Sequence, residues 1–262
     1  MQIKDSTFII TGGASGLGLA TVEDLYKNGG YTAILDMNPA NGEKVIKSLG
    51  ERAKFFEVDV TESESLEKAI NGAVEWAKQN GKPVRGVMPF AGVGLPGKLI
   101  DKNLNPIAME KLDFVIDINL RGVLNTLRLV VPHIAKSDPV NEDGERGVIV
   151  MVSSTSAFEG QVGQLSYVAT KGAIRSMTLV LARDLAPNGI RALSVAPSLF
   201  STAMSAQMSD KVRKALESTA EFPKRLGHAS EFAHMVRTCV ENGYLNGECI
   251  RIDAATRMPA KM

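Results

Sequence analysis

Cysteine is scarce in this chain of 262 residues: Cys239 and Cys249 are the only two. Two thiols cannot build a disulfide framework or a four-thiolate zinc site, and the gap between them fits no common metal spacing. They are expected to be reduced thiols of an intracellular protein. Histidine is almost as sparse. His133, His228 and His234 show no zinc-protease spacing and no link to a nucleophile elbow, so structural or surface roles are expected. Ser153-Ser154 lacks the G-x-S-x-G context, which argues against a serine hydrolase. A surplus of one charge is also missing: 30 Lys+Arg against 29 Asp+Glu leave +1, too little to attract nucleic acid or an anionic membrane. The longest aliphatic run, 148–152, is far too short to cross a bilayer, and residues 1–11 carry no secretory leader pattern. Nucleic-acid and membrane partners are therefore not expected.

What is present reads as an ordinary globular chain. Apolar residues make up 44% and charged residues 23%, enough for one core at this length, so residues 1–262 are expected to form a single domain. Short β-branched runs alternate with segments of helical period. Strands are expected at 7–11, 31–36, 54–58, 84–90, 147–153 and 190–196. Helices are expected from the glycine turn to about 27, and at 41–49, 64–78, 109–134 and 165–185. The 147–153 run is continuously apolar, as suits a strand covered on both faces. This βαβα order implies an α/β fold: a doubly wound parallel sheet of the Rossmann type with helices on both faces. Loops at 91–106, 137–146 and 198–210 are then insertions at sheet ends. Ligands bind such sheets at the C-terminal ends of the strands, so the residues just after each strand carry the functional information.

After the first strand stands Thr11-Gly12-Gly13-Ala14-Ser15-Gly16-Leu17-Gly18, with glycines in a G-x-x-x-G-x-G spacing. Gly12 permits a tight turn, Gly16 lets a pyrophosphate approach the backbone, and Gly18 lets the helix pack closely. The helix N-terminus adds free N–H groups and a positive dipole end. Asp36 ends the second strand, where a carboxylate can accept both hydroxyls of an adenine ribose and repel a 2′-phosphate. No Lys or Arg stands at 13, 14, 37 or 38 to neutralise such a phosphate, so NAD rather than NADP is expected. Asp59-Val60 follows the third strand. Asp59 suits the adenine amino group and the Val60 N–H the ring, although Asp59 also suits a helix cap. Ala91 and Gly92 follow the fourth strand and are small enough to let a cofactor pass.

Tyr167 and Lys171 lie four apart in a helical segment and share a face. Ser154 ends the fifth strand, and Asn119 sits in mid-helix. Carbonyl reduction delivers hydride to carbon and needs a proton for oxygen. A free phenol, with a pKa of about 10, is a poor base at neutral pH, and a neighbouring ammonium favours the phenolate. Lys171 can supply that charge and also bond the nicotinamide ribose. Ser154 can bond the substrate oxygen. Asn119 can interrupt the helix ladder and hold a water linking Lys171 to solvent, or be an ordinary capping or exposed helix Asn.

The glycine motif, Asp36, Asn119, Ser154, Tyr167 and Lys171 together resemble the short-chain dehydrogenase/reductase family over essentially the whole chain. The stretches 11–21, 157–164, 183–187, 245–248 and 250–258, with the 91–106 insertion, are similar to a subgroup acting on 3-hydroxyacyl-CoA and hydroxysteroids. The resemblance implies a single-domain NAD oxidoreductase that interconverts a secondary alcohol and a ketone, assembled as a homotetramer or homodimer. In it Ser15 and Leu17 would sit at the pyrophosphate turn. Phe200 and Thr202 would close over the nicotinamide end, with Pro197 also at the cofactor, and 200–225 would form a mobile substrate lid, 91–106 and 198–225 being the substrate loops. The chain departs from the family pattern at three places. Pro89-Phe90-Ala91-Gly92 stands where Asn-Asn-Ala-Gly or Asn-Cys-Ala-Gly is usual, Phe90 is bulkier than the usual residue beside the cofactor, and Ser198 replaces a glycine after Pro197. Pro89 has no N–H for a ladder bond in a central strand.

Other readings stay open. A secondary-metabolite ketone reductase would use the same residues on a different substrate. A non-catalytic NAD(H) scaffold or sensor would keep only the nucleotide site. Lys211, Arg213, Lys214, Lys224 and Arg225 suit a CoA phosphate or a solvated helix face. The methionines between 204 and 258 suit an adaptable pocket or ordinary core filling. Ala260-Lys261-Met262 resembles a peroxisomal address or is simply a frayed tail, so a cytoplasmic or peroxisomal location is expected.

Overall fold

Seven strands form one parallel sheet in the order β3-β2-β1-β4-β5-β6-β9 in a computed structural model that describes residues 1–202 and 217–257. The strands are β1 (Thr7–Thr11), β2 (Tyr31–Asp36), β3 (Ala53–Glu57), β4 (Val84–Pro89), β5 (Gly147–Val152), β6 (Ile190–Pro197) and β9 (Cys249–Ile252). A separate two-residue pair joins β7 (Phe200–Ser201) to β8 (Gly227–His228). The helices are α1 (Gly16–Lys27), α2 (Pro39–Leu49), α3 (Ser63–Gln79), α4 (Met109–Ile116), α5 (Gly122–Ala135), α6 (Ser156–Glu159), α7 (Leu165–Asp184) and α8 (Ala229–Glu241). The chain runs outward from β1 to β3, returns to β4 beside β1, and then runs outward the other way. The order therefore reverses between β1 and β4, which opens a crevice at their C-terminal ends.

Each face of the sheet buries its own core. On one side Leu66, Ile70 and Trp76 of α3, Leu127 and Val130 of α5 and Ile174 of α7 pack over Ile9, Val87 and Ile149. On the other, Val22 and Leu25 of α1, Val45 of α2 and Phe232 and Val236 of α8 pack over Phe8, Ile34, Val148 and Leu193. Both faces being covered explains why β1, β4 and β6 are buried at every position.

The expected strands and helices are present with ends shifted by a residue or two. The long helix expected over 109–134 contains a π turn at Asp117–Arg121 between α4 and α5. The sequence reading assigned no element to α8 or β9. Pro89 is accommodated because β4 pairs with β5 only at Gly86 and Val87, while Pro89 lies beside Thr11 of β1, and the Phe90 N–H keeps the β1 contact at 3.1 Å. The tail 260–262, with Lys211, Arg213, Lys214, Met204, Met208 and Met258, lies outside the described residues. Among the described residues both cysteines are free thiols, and no helix is long and apolar enough to cross a membrane.

Arg191 on β6 locks α8 onto the sheet edge. Its guanidinium donates to the carbonyls of Cys239, Val240 and Leu245 at 2.7–2.9 Å and pairs with Glu145 at 2.8 Å, with both side chains buried. Arg191→Ala would leave a buried carboxylate and three carbonyls short of a donor. We expect a loss of about 3–5 kcal/mol and a thermal midpoint lower by roughly 10 °C, read by calorimetry.

Candidate active site

The glycine turn lies at the mouth of the β1–β4 crevice. Gly12 has φ +65°, and a Cβ there would come within 2.8 Å of the Ala91 backbone at the end of β4. A Cβ on Gly18 would collide with the Gly12 carbonyl, so Gly18 packs the start of α1 on the turn itself rather than on the sheet. Gly16 has φ +53°, and a Cβ there would lie 3.6 Å from the Thr202 side chain, so the 198–202 segment comes across the turn. Ser15 precedes α1 but its side chain makes no cap, and the first turn of α1 holds no acidic residue. The leading N–H groups and the positive dipole end are thus presented without a built-in anion, as a phosphate site requires. Leu17 packs partly into the core below.

Asp36 is aimed by two backbone groups. The Ala14 N–H donates to Oδ2 and the Asn38 N–H to Oδ1, each at 3.1 Å. The carboxylate is tied to the glycine turn on one side and to its own strand end on the other. Asp59 accepts from the Thr61 N–H and hydroxyl at 2.9 and 2.7 Å, a local turn; Glu62, not Asp59, occupies the N-cap of α3. Val60 packs against Gly122. Thr11, which sequence reasoning passed over, holds the Ala91 N–H through its hydroxyl at 3.1 Å and so fixes the floor of the crevice.

Ser154, Tyr167, Lys171 and Asn119 converge where β4 and β5 end. The Ser154 hydroxyl is a hydrogen-bond partner of the Tyr167 phenol. The Lys171 Nζ donates to the Val152 carbonyl at 2.8 Å and stands 5.7 Å from the Tyr167 ring centre. A Cβ on Gly92 would lie 3.3 Å from Asn119 Oδ1 and 3.7 Å from Lys171 Nζ, so only glycine leaves that space open. Asn119 sits in the π turn and is fully buried. Its amide both accepts from the Val93 N–H and donates to the Val93 carbonyl, each at 2.8 Å. This two-way bond clamps the 92–94 loop, a role that sequence reading did not assign. Ser153 was also missed: its hydroxyl donates to the Lys171 carbonyl at 2.8 Å and anchors the turn of α7 that carries the lysine.

The electrostatics differ from expectation. Desolvation pushes the Tyr167 phenol upward, and the Ser154 hydrogen bond opposes it. The ammonium is instead directed at the Val152 carbonyl, and burial lowers its own pKa to about 8.

The profile of the short chain dehydrogenase family matches residues 6–213. This chain belongs to the short-chain dehydrogenase family. The 3-hydroxyacyl-CoA dehydrogenase type-2 of Bos taurus is 43% identical over 98% of this chain and 97% of its own length. The structure of 3-hydroxyacyl-CoA dehydrogenase type-2 from Mycobacterium avium superimposes with a TM-score of 0.91 at 34% identity over 100% of both chains. A 3-ketoacyl-(acyl-carrier-protein) reductase from Brucella melitensis, complexed with NADH, shares the fold with a TM-score of 0.84 at 24% identity over 97% of this chain and 99% of its own. The protein is thus a Rossmann-type oxidoreductase acting on CH–OH groups.

In this short-chain dehydrogenase the departures at Phe90 and Ser198 turn away from the reacting groups. The Phe90 ring packs edge-on against Phe232 of α8 at 5.6 Å, so much of its bulk is taken up by the core. Phe200 is likewise buried against Phe232, at 6.2 Å, so its ring does not close over the crevice. Ser198 lines a cavity of about 250 Å³ with Phe200, Ala220 and Ile252, which includes none of Ser154, Tyr167 or Lys171. Arg225 is engaged by Glu231 at 2.8 Å and is not a free cation for a phosphate. The 91–106 insertion folds back on the site: the Gly97 N–H donates to the Gly163 carbonyl at 2.7 Å, four residues before Tyr167.

Proposed function

We propose that this short-chain dehydrogenase interconverts a secondary alcohol and a ketone with NAD(H), Tyr167 acting as the acid or base, on substrates of the 3-hydroxyacyl-CoA or hydroxysteroid type. The observation that carries the reading is the convergence of Ser154, Tyr167 and Lys171 beside Gly92 at the end of β4. NAD fits the residues present. Gly12, Gly16 and Gly18 leave the turn bare, α1 offers its N–H groups with Ser15 and Leu17 at the pyrophosphate, and Asp36 is aimed as a ribose acceptor. Asp59 and Val60 would flank the adenine. Ala91, Gly92, Pro197 and Thr202 would line the nicotinamide half, with Phe200 contributing through its backbone. Bound there, the cofactor supplies or accepts a hydride.

The chain's own groups then handle the oxygen. At neutral pH the half-buried Tyr167 phenol, its pKa raised by desolvation, holds its proton and can donate it to the oxygen of a ketone as negative charge develops. Ser154 is a second donor to that oxygen. The Lys171 ammonium stabilises the phenolate left behind and would bond the nicotinamide ribose. Asn119, which holds Val93 by both of its backbone groups, keeps room beside Gly92 for a water that refills the proton. The direct assay is NADH oxidation with acetoacetyl-CoA and a ketosteroid. Inertness towards both, and towards a wider ketone panel, would favour the scaffold alternative.

Lys171 gives a pH test that needs no substrate. Its folded pKa of about 8 lies below the ordinary lysine value of 10.5. Between these values the folded form binds fewer protons than the unfolded form, so stability rises with pH. Raising the pH from 7 to 9 should stabilise the protein by about 1 kcal/mol relative to Lys171→Met, read from urea midpoints.

A homo-oligomer, dimer or tetramer, is part of the same reading. Phe114 of α4, Leu124 of α5 and Leu165, Leu179 and Val180 of α7 are all exposed, at 44–54%. Apolar helix faces of that kind are usual at subunit contacts. A monomer in light scattering would overturn it.

A further inference from the structure

Ser156 makes two contacts with one atom. Its backbone N–H donates to Ser154 Oγ at 3.2 Å, and its hydroxyl lies 2.9 Å from the same oxygen. Ser156 is the first residue of α6 and is 1% exposed, so bulk water does not compete for these bonds. A serine hydroxyl has two lone pairs and one proton. The Ser156 N–H can only donate, so it occupies one lone pair of Ser154. If the Ser156 hydroxyl occupies the other, Ser154 has no acceptor capacity left and its proton must point outward.

We propose that Ser156 is a positioning residue that turns Ser154 from a hydroxyl able to accept or donate into an obligatory donor, aimed at the oxygen that Tyr167 also serves. The inference rests on the proposed roles of Ser154 and Tyr167. Its chemical sense is specific to ketone reduction. Negative charge grows on the substrate oxygen, so the group opposite Tyr167 has to donate. A Ser154 free to rotate could instead accept from the Tyr167 hydroxyl and withdraw the acid's proton from the reaction. Ser156 closes that alternative, and by donating twice into Ser154 it also polarises the O–H that remains.

Ser156→Ala removes the hydroxyl and keeps the N–H. With NADH and the fastest ketone of a panel containing acetoacetyl-CoA and a ketosteroid, kcat should fall about tenfold. The ketone KM, the NADH Kd and the thermal midpoint should stay near wild type. In a Ser154→Ala background the same substitution should change kcat by less than about twofold, because no hydroxyl is left to orient. Tyrosinate absorbance, with Tyr167→Phe as the blank, gives a readout without turnover. Ser156→Ala should raise the Tyr167 ionisation by about half a pH unit as the Ser154 donor is freed to turn away; Lys171, whose ammonium stands 5.7 Å from that ring, is the same in both proteins. An unchanged kcat, an equal loss in the Ser154→Ala background, or an unshifted titration would overturn the inference. Failure of the underlying function looks different: wild type and Tyr167→Phe would be equally slow on every ketone, and the titration alone would then decide the role of Ser156.

Discussion

Tyr167→Phe should lower kcat for ketone reduction by about a thousandfold while NADH binds within about twofold of wild type. The substitution removes one oxygen and keeps the ring, so packing over Lys171, 5.7 Å from its Nζ, survives. What is lost is the proton donor. Burial holds the phenol protonated through neutral pH, which suits an acid in the reducing direction. Ser154 cannot replace it, because an aliphatic hydroxyl gives up its proton far less readily and Lys171 does not stand behind it: the ammonium donates to Val152. The variant therefore separates binding from chemistry. Calorimetric titration with NADH and stopped-flow reduction of acetoacetyl-CoA read the two. Equal turnover in wild type and variant would remove Tyr167 from the chemistry and leave a nucleotide-binding scaffold.

The residues that meet at this site could be read from the sequence because they stand just beyond strands or at fixed spacing within helices that patterning locates well. Tyr167 and Lys171 share a helix face at a spacing of four, and Ser154 and Gly92 stand two and three residues beyond the ends of the buried strands β5 and β4. Their supports were not legible, because those bonds join distant segments. Nothing in the neighbourhood of Asn119 announces that its amide would clamp Val93, 26 residues away. Nor does the chain around Ser153 reveal its bond to the carbonyl of Lys171. The sign of the Tyr167 shift was misjudged for a related reason: a spacing of four brings two side chains to one face, but only the packed site determines that desolvation outweighs the charge. The edge of the sheet is a different case. Phe232, Val236, Cys239 and Val240 in α8 do have helical spacing, whereas β9 is only four residues long and half-buried throughout. The usual continuous apolar signature of a central strand is absent there, since an edge strand is covered less completely.

Asp36 should decide the choice of cofactor, and its removal should have the second-largest effect. In wild type, NADH is expected to bind at least about tenfold more tightly than NADPH, because a 2′-phosphate would be brought against a fixed carboxylate. The Ala14 and Asn38 N–H groups hold one oxygen each, so the carboxylate cannot swing aside. Asp36→Asn keeps an acceptor oxygen and abolishes the charge. NADH binding should weaken about tenfold, since the bonds to the ribose are no longer charge-assisted, while NADPH binding stays level or improves. Asp36→Ala goes further and leaves the Ala14 N–H without its partner in the glycine turn. NADH affinity should then fall by about a hundredfold, and the Gly12–Gly18 turn should lose protection from hydrogen exchange. The two variants distinguish recognition of the ribose from support of the phosphate turn, because the asparagine oxygen can still accept from one of the two N–H groups, Ala14 or Asn38, whereas alanine accepts from neither. A wild-type protein that binds NADPH as tightly as NADH would show that this carboxylate does not face the adenine ribose at all.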